Sequence, residues 1–306
     1  MRKNIFIFLV SSIITILILE IFLRLTIEPS SNGISFGARN KDFEENNYFL
    51  DENNFRNKNI SKDYTLLYLG DSGVFGQGLK TKEIYANVIE NTYGLKGYNL
   101  GVRGTNTIDQ KIIYEKFLKG NTKNFTLVYH YYYNDIDYLT NTIISPDIGE
   151  DNNIIKFTKK YILLLTNNSY FFDYIITNLL FIYLENKYSS DIFYDELIYE
   201  KHLKDVKKIF EISKDKNVKT LFLIMPVLHS IKDSQENYID FFKKNFFKIC
   251  NKDDLLIDMS ILLDNINFDK LVVNKFDHHA SSYVNQLIAK EIDSVLKNKS
   301  FNVEKC

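Results

Sequence analysis

Ser72, Asp277 and His279 are the residues whose types and order could run a relay of nucleophile, base and orienting carboxylate. A serine hydroxyl attacks an acyl carbonyl efficiently only when a base removes its proton. The base works best when a carboxylate fixes its tautomer and stabilises its charge. Asp277 lies two residues before His279, so an extended segment places both side chains on one side, with Nδ1 toward the carboxylate and Nε2 toward the serine. His278 is the competing base, and on the same segment it points the other way. An oxyanion needs donors as well, and losing one costs on the order of 10²–10³ in rate. Three are available: the backbone N–H of Ser72, the backbone at Gly104, and the side-chain amide of Asn134. Taken singly these signals also describe ordinary structure, since Gly-Asp-Ser makes turns, Asn-Asp caps helices and Asp-x-His occupies solvated loops.

The elements that must position these groups alternate along the chain. Apolar runs predict strands at Tyr64 to Leu69, Gly97 to Leu100, Phe125 to His130, Thr220 to Met225 and Leu255 to Asp258. Helical patterns fill the gaps near Lys82 to Asn91, Ile108 to Leu118, Tyr199 to Ser213, Tyr238 to Cys250 and Ser281 to Lys297. Such alternation predicts parallel strands joined by crossovers, an α/β three-layer sandwich with helices on both faces. Ser72, Gly104 and Asn134 follow the first, second and third strands, where open α/β sheets place their sites. The α/β-hydrolase elbow would need glycine at position 74, held here by Val74, and in trypsin-like enzymes the histidine precedes the serine.

In that order the chain resembles the SGNH branch of the GDSL hydrolases. The first block resembles Leu69-Gly70-Asp71-Ser72-Gly73-Val74-Phe75-Gly76 and the second Asn99-Leu100-Gly101-Val102-Arg103-Gly104. The third resembles Tyr132-Tyr133-Asn134-Asp135, and the last Asp277-His278-His279-Ala280-Ser281. The resemblance implies a mostly parallel, flavodoxin-like five-stranded sheet. It also implies Ser72 as nucleophile, His279 as base, Asp277 as its orienter, and an oxyanion hole from Ser72, Gly104 and Asn134. Tyr132 stands where the third block usually has glycine, and Val284 where many members have glycine after the histidine loop. Asp71 is given a structural role. The implied activity is a serine esterase that cleaves or transfers acyl groups, with O-acetyl groups of cell-envelope carbohydrate as the expected substrate. Tyr129, Tyr131, Tyr132 and Tyr133 would either stack on a sugar or pack in and beside a strand. The alternative class is a non-catalytic binding or scaffold protein of an envelope polysaccharide-modifying complex.

The rest of the sequence sets the location. Arg2 and Lys3 precede an apolar stretch from Ile5 to Leu25, about one bilayer span. Glu20 and Arg24 lie one helical turn apart and can pair near the far interface. A cleaved secretory signal is the rival reading, although no small-x-small site and no lipobox cysteine follows. Positive charge ahead of the span predicts a cytoplasmic N-terminus and a catalytic domain on the periplasmic or extracellular side. The expected organisation is a membrane anchor at 1–27, a polar linker at 28–62, and a hydrolase-like domain at 63–300 with a helical insertion at about 138–198. The balance of 38 Lys and Arg against 39 Asp and Glu gives no field to hold nucleic acid. Cys250 and Cys306 fit neither a disulfide scaffold nor a zinc site and are expected as isolated thiols. His130, His202 and His229 are scattered, so no metal and no cofactor is expected.

Overall fold

The computed structural model describes residues 2–31, 37–57, 63–121, 124–136, 161–187, 196–300 and 302–306. The chain divides into two compact units, Met1–Asn47 with Asp147–Ser190, and Tyr48–Pro146 with Asp191–Cys306. The larger, second unit carries the sheet. Its elements are β1 (Leu66–Leu69), α3 (Ser72–Phe75), α4 (Tyr85–Tyr93), β2 (Gly97–Asn99), α5 (Thr107–Lys119), β3 (Thr126–Tyr131), α8 (Glu196–Asp215), β4 (Lys219–Ile224), α9 (Ile231–Ser234) and α10 (Asp240–Asn245). They continue through β5 (Leu255–Asp258), α11 (Ser260–Leu263), α12 (Phe268–Leu271), β6 (Val272–Asn274), β7 (Asp277–Ala280), α13 (Ser282–Leu296) and β8 (Val303–Lys305).

The sheet runs β2-β1-β3-β4-β5-β8. Its first five strands are parallel and β8 is antiparallel to β5. The parallel part has the flavodoxin-like order 2-1-3-4-5, so the chain is a doubly wound α/β sandwich as its alternating pattern predicts. Strand residues alternate between two cores. Leu67, Leu69, Leu127, Tyr129 and Phe222 pack with Tyr114 of α5 and Phe210 of α8. Leu66, Tyr68, Val128, Leu221 and Leu223 pack with Ile89 of α4 and Ile288 of α13. Burial on both faces is why these strands read as continuous apolar runs.

Four features differ from the sequence expectation. The sheet has a sixth strand, and Cys306 at its end is joined to Cys250 by a disulfide with Cα atoms 5.9 Å apart, so these cysteines are not isolated thiols. Two cysteines 56 residues apart carry no spacing signature. Second, β6 and β7 form a separate antiparallel ribbon. Third, the helix expected over Tyr238 to Cys250 is made of short pieces, with α10 ending at Asn245 and a tighter turn over Phe246–Lys248. Fourth, the stretch expected as a spacer is folded in part: Arg56 is 1% exposed and belongs to the sheet-bearing unit. Most of the expected insertion at 138–198 lies outside the described residues.

The smaller unit contains α1 (Arg2–Thr26), α2 (Ala38–Asn47), a helix at 161–166 (α6) and α7 (Tyr170–Lys187). Within α1, Asn4–Thr26 is long and apolar enough to cross a bilayer, and none of its most apolar 18 residues is buried. Twenty-three helical residues rise about 35 Å, which matches a hydrocarbon core of about 30 Å.

Candidate active site

Ser72 is the first residue of α3, one turn past the end of β1. The turn is pinned at both ends: Asp71 Oδ1 accepts from the Gly73 N–H at 2.9 Å, and the Gly76 N–H returns to the Ser72 carbonyl at 2.9 Å. The neighbouring strand β2 adds Asn99, whose Nδ2 donates to the Val74 carbonyl at 2.8 Å and whose Oδ1 accepts from the Gly101 N–H at 2.7 Å. From the other side the buried Arg56 guanidinium donates to the carbonyls of Phe75 at 3.1 Å, of Gly76 and of Leu79. Its Cζ lies 4.0 Å from the centroid of the Tyr48 ring. A carbonyl at the end of a four-residue helix has few partners of its own chain, and a charged donor fixes it more strongly than a neutral one.

One remote segment, β7, meets this turn. The Ser72 hydroxyl lies 2.9 Å from His279 Nε2, and His279 Nδ1 lies 2.5 Å from Asp277 Oδ1. The same carboxylate oxygen accepts the His279 backbone N–H at 3.1 Å. Asp277 is fully buried and Ser72 is 7% exposed. Gly78 explains part of that enclosure. With φ +78° it approaches so closely that a Cβ would stand 2.6 Å from Asp277 Oδ2. The β7 pleat puts Asp277 and His279 on one side and the exposed His278 on the other, where its ring meets Phe268 at 5.3 Å and His229 at 6.3 Å.

The charges around His279 decide its proton affinity. Burial lowers it, but the hydrogen bond and charge of Asp277, with the charge of Asp71, outweigh burial and leave the pKa above 6.5; Arg103 acts in the opposite direction. Asp71 Oδ2 also stands 3.2 Å from the Ser72 hydroxyl. Beneath the turn His130 is buried, and desolvation lowers its pKa to about 4 against the partial opposition of Asp71.

The expected oxyanion donors are placed by strand order. Since β2 and β3 flank β1, Gly104 and Asn134 follow strands on either side of the one that delivers Ser72. Gly104 has φ +70°, and a Cβ there would meet nothing within 4 Å, so its backbone borders open space. The Val102 N–H donates to the Gly70 carbonyl at 3.3 Å, holding that loop to the serine turn. Asn134 lies in the single turn Tyr133–Asp135, and its Oδ1 is buried with no hydrogen-bond partner among the described residues. Asp135 holds that turn: it is fully buried and accepts from Gln110 Nε2 at 2.6 Å and from the Tyr132 N–H at 2.8 Å.

Tyr129 and Tyr131 are fully buried and pack on Phe222 with centroids 5.3 and 5.7 Å away, so neither can stack on a sugar. Tyr132 and Tyr133 lie edge to face at 4.9 Å. Sequence reasoning missed Arg56 and Tyr48, and no local pattern announced them. Among the described residues no three His, Cys, Asp or Glu side chains group as metal ligands.

No family model matches the chain, and no curated protein matches it. Solved structures do. A member of the lipolytic protein G-D-S-L family from Veillonella parvula is 11% identical with a TM-score of 0.45, covering 76% of this chain and 97% of its own. An acetyl xylan esterase, AlAXEase, is 14% identical with a TM-score of 0.45, over 76% of this chain and 98% of its own. A psychrotrophic esterase from Pseudoalteromonas is 13% identical with a TM-score of 0.44, over 77% and 98%. Structural neighbours of this chain are thus GDSL and SGNH lipolytic hydrolases and esterases. The fold itself rests on the strand order above.

Proposed function

We propose that the protein is a serine esterase of the SGNH type that cleaves or transfers acyl groups, with Ser72 as nucleophile, His279 as base and Asp277 as orienter. The observation that supports it most is the unbroken line of contacts, 2.9 Å from Ser72 to His279 and 2.5 Å on to Asp277, between segments 207 residues apart. Ser72 Oγ attacks the ester carbonyl while His279 Nε2 takes its proton. The oxyanion is met by the N–H groups of Ser72 and Gly104 and the amide of Asn134. His279 then returns the proton to the leaving alcohol, and acyl-Ser72 is resolved by water or by a sugar hydroxyl. Water gives hydrolysis and a sugar gives transfer. The substrate class we assign is O-acetylated carbohydrate of the cell envelope.

We further propose that residues 1–27 anchor the chain, with its N-terminus in the cytoplasm and residues 63–300 forming the outward-facing catalytic domain. Arg2 and Lys3 ahead of the span support this orientation. So does the Cys250–Cys306 disulfide, a bond that persists in oxidising compartments.

The test is hydrolysis of p-nitrophenyl acetate by the full chain in detergent. Ser72→Ala is expected to lower kcat/KM by about 10⁴-fold, because members of a relay act as a unit. Equal rates for the two forms would remove Ser72 from the mechanism. Products formed with and without an added sugar acceptor distinguish transfer from hydrolysis.

A further inference from the structure

Helices α6 and α7 of the smaller unit bury polar side chains and expose apolar ones. On α7, Asp173 is fully buried and Thr177 is 2% exposed, and Thr166 of α6 is fully buried. Outward from the same two helices point Tyr161, Ile162, Leu164 and Leu165, then Tyr174, Ile175 and Leu179, the last 61% exposed. Water favours the reverse arrangement, with apolar side chains inward and polar ones at the surface. The inward polar groups are satisfied. Asp173 Oδ2 accepts from Arg39 Nε at 3.0 Å and from the Arg39 N–H at 2.9 Å, and its Oδ1 accepts from the Thr177 hydroxyl at 2.8 Å.

What covers the apolar side follows from how α7 is attached. Glu20, near the C-terminal end of the candidate span, caps the helix. Its carboxylate accepts from the Ser169 hydroxyl at 2.7 Å, the Tyr170 N–H at 3.1 Å and the Phe171 N–H at 3.0 Å. Arg24, one turn on, pairs with Glu20 at 2.6 Å, donates to the Asn168 carbonyl at 3.2 Å and lies 4.6 Å above the Tyr170 ring. The start of α7 is therefore held at the level where α1 would leave the bilayer. Tyrosines beside apolar side chains at that level are what a headgroup boundary accommodates.

We infer that α6 and α7 form a lipid-docking surface, seated in the outer headgroup and acyl boundary beside the span, which gives this part of the insertion a role in membrane contact. The inference rests on α1 spanning the membrane. The occupant is the bilayer, because the exposed apolar side chains continue directly from an apolar helix of bilayer length and enclose a polar interior.

The chain has no tryptophan, so single reporters are clean. The full chain is reconstituted in phosphatidylcholine vesicles whose acyl chains carry bromine either near the headgroup or near the chain end. Ile14→Trp, at the centre of α1, should be quenched best by deep bromine. Leu164→Trp and Leu179→Trp should each lose roughly half their emission to shallow bromine, as for rings lying about 5–10 Å into the interface. An unquenched Ile14→Trp defeats the span and the inference with it. A quenched Ile14→Trp with unquenched Leu164→Trp and Leu179→Trp defeats the inference alone, and a blue shift without quenching would mean a second copy of this chain as the cover.

Discussion

Replacing Asp277 by asparagine separates an orienting carboxylate from a merely structural one. The side chain is fully buried and one of its oxygens takes both the Nδ1 and the backbone N–H of His279. Asparagine keeps the shape and removes the charge. If its amide N–H turns toward Nδ1, the imidazole proton moves to Nε2 and the ring can no longer accept from Ser72. If its oxygen stays there, the imidazolium that forms during attack loses its counter-charge. A neutral partner in this position is expected to lower kcat/KM by on the order of 10⁴, about 5.5 kcal/mol of transition-state stabilisation. The pH profile adds a second readout. Since burial pulls the pKa of His279 down and Asp277 is the first group opposing it, the folded value now lies above 6.5. Activity needs the neutral ring, so it falls as pH drops through that raised value, and in Asp277→Asn the acid limb should move to lower pH. The assay is kcat/KM for p-nitrophenyl acetate across pH 5 to 9, with near-ultraviolet circular dichroism to confirm an intact fold. A well-folded variant within tenfold of wild type, with an unmoved acid limb, would refute the orienting role.

Three further outcomes are expected. Gly78→Ala should fold poorly or lose most activity, because its φ of +78° disfavours alanine and the new methyl would meet Asp277 Oδ2 at 2.6 Å; thermal melts and the ester assay read both effects. Reduction of the Cys250–Cys306 bond, or Cys306→Ser, should lower stability by up to about 4 kcal/mol for a loop of this size, seen as a lower denaturation midpoint. His202 is buried beside Thr107, and burial lowers its pKa to about 4, with Asp205 opposing. Between pH 6.5 and 4 the unfolded chain therefore binds more protons at this site, and stability falls with pH. Going from pH 7.5 to 5 should cost about 2 kcal/mol that His202→Asn does not lose, measured by denaturant unfolding at both pH values.

Ser72 and Asn134 of the candidate site were legible because each follows a strand that carries its own local signal, whereas Asp277 and His279 lie on β7, which carried none. Leu66–Leu69, Thr126–Tyr131 and Leu255–Asp258 are apolar on both faces, and the groups just beyond the first two, Ser72 and Asn134, needed only the strand order to be brought together. What stayed hidden depends on partners far along the chain. Arg56 sits in a run of asparagines and charges, and only the carbonyls of Phe75, Gly76 and Leu79 make it a clamp. Strand β8 is three residues long, too short for a period, and its partner β5 lies more than forty residues away. Asp173 stands in an apolar stretch with nothing local to account for its burial, and its partner Arg39 lies 134 residues away.

The Glu20 carboxylate has a practical consequence for anyone making a soluble version of this protein. Cutting the chain after the span removes the acceptor that closes the first turn of α7. It also leaves the exposed apolar side chains of that helix facing water. A truncated form should therefore fray there and clump, and detergent-held full-length material is the better starting point.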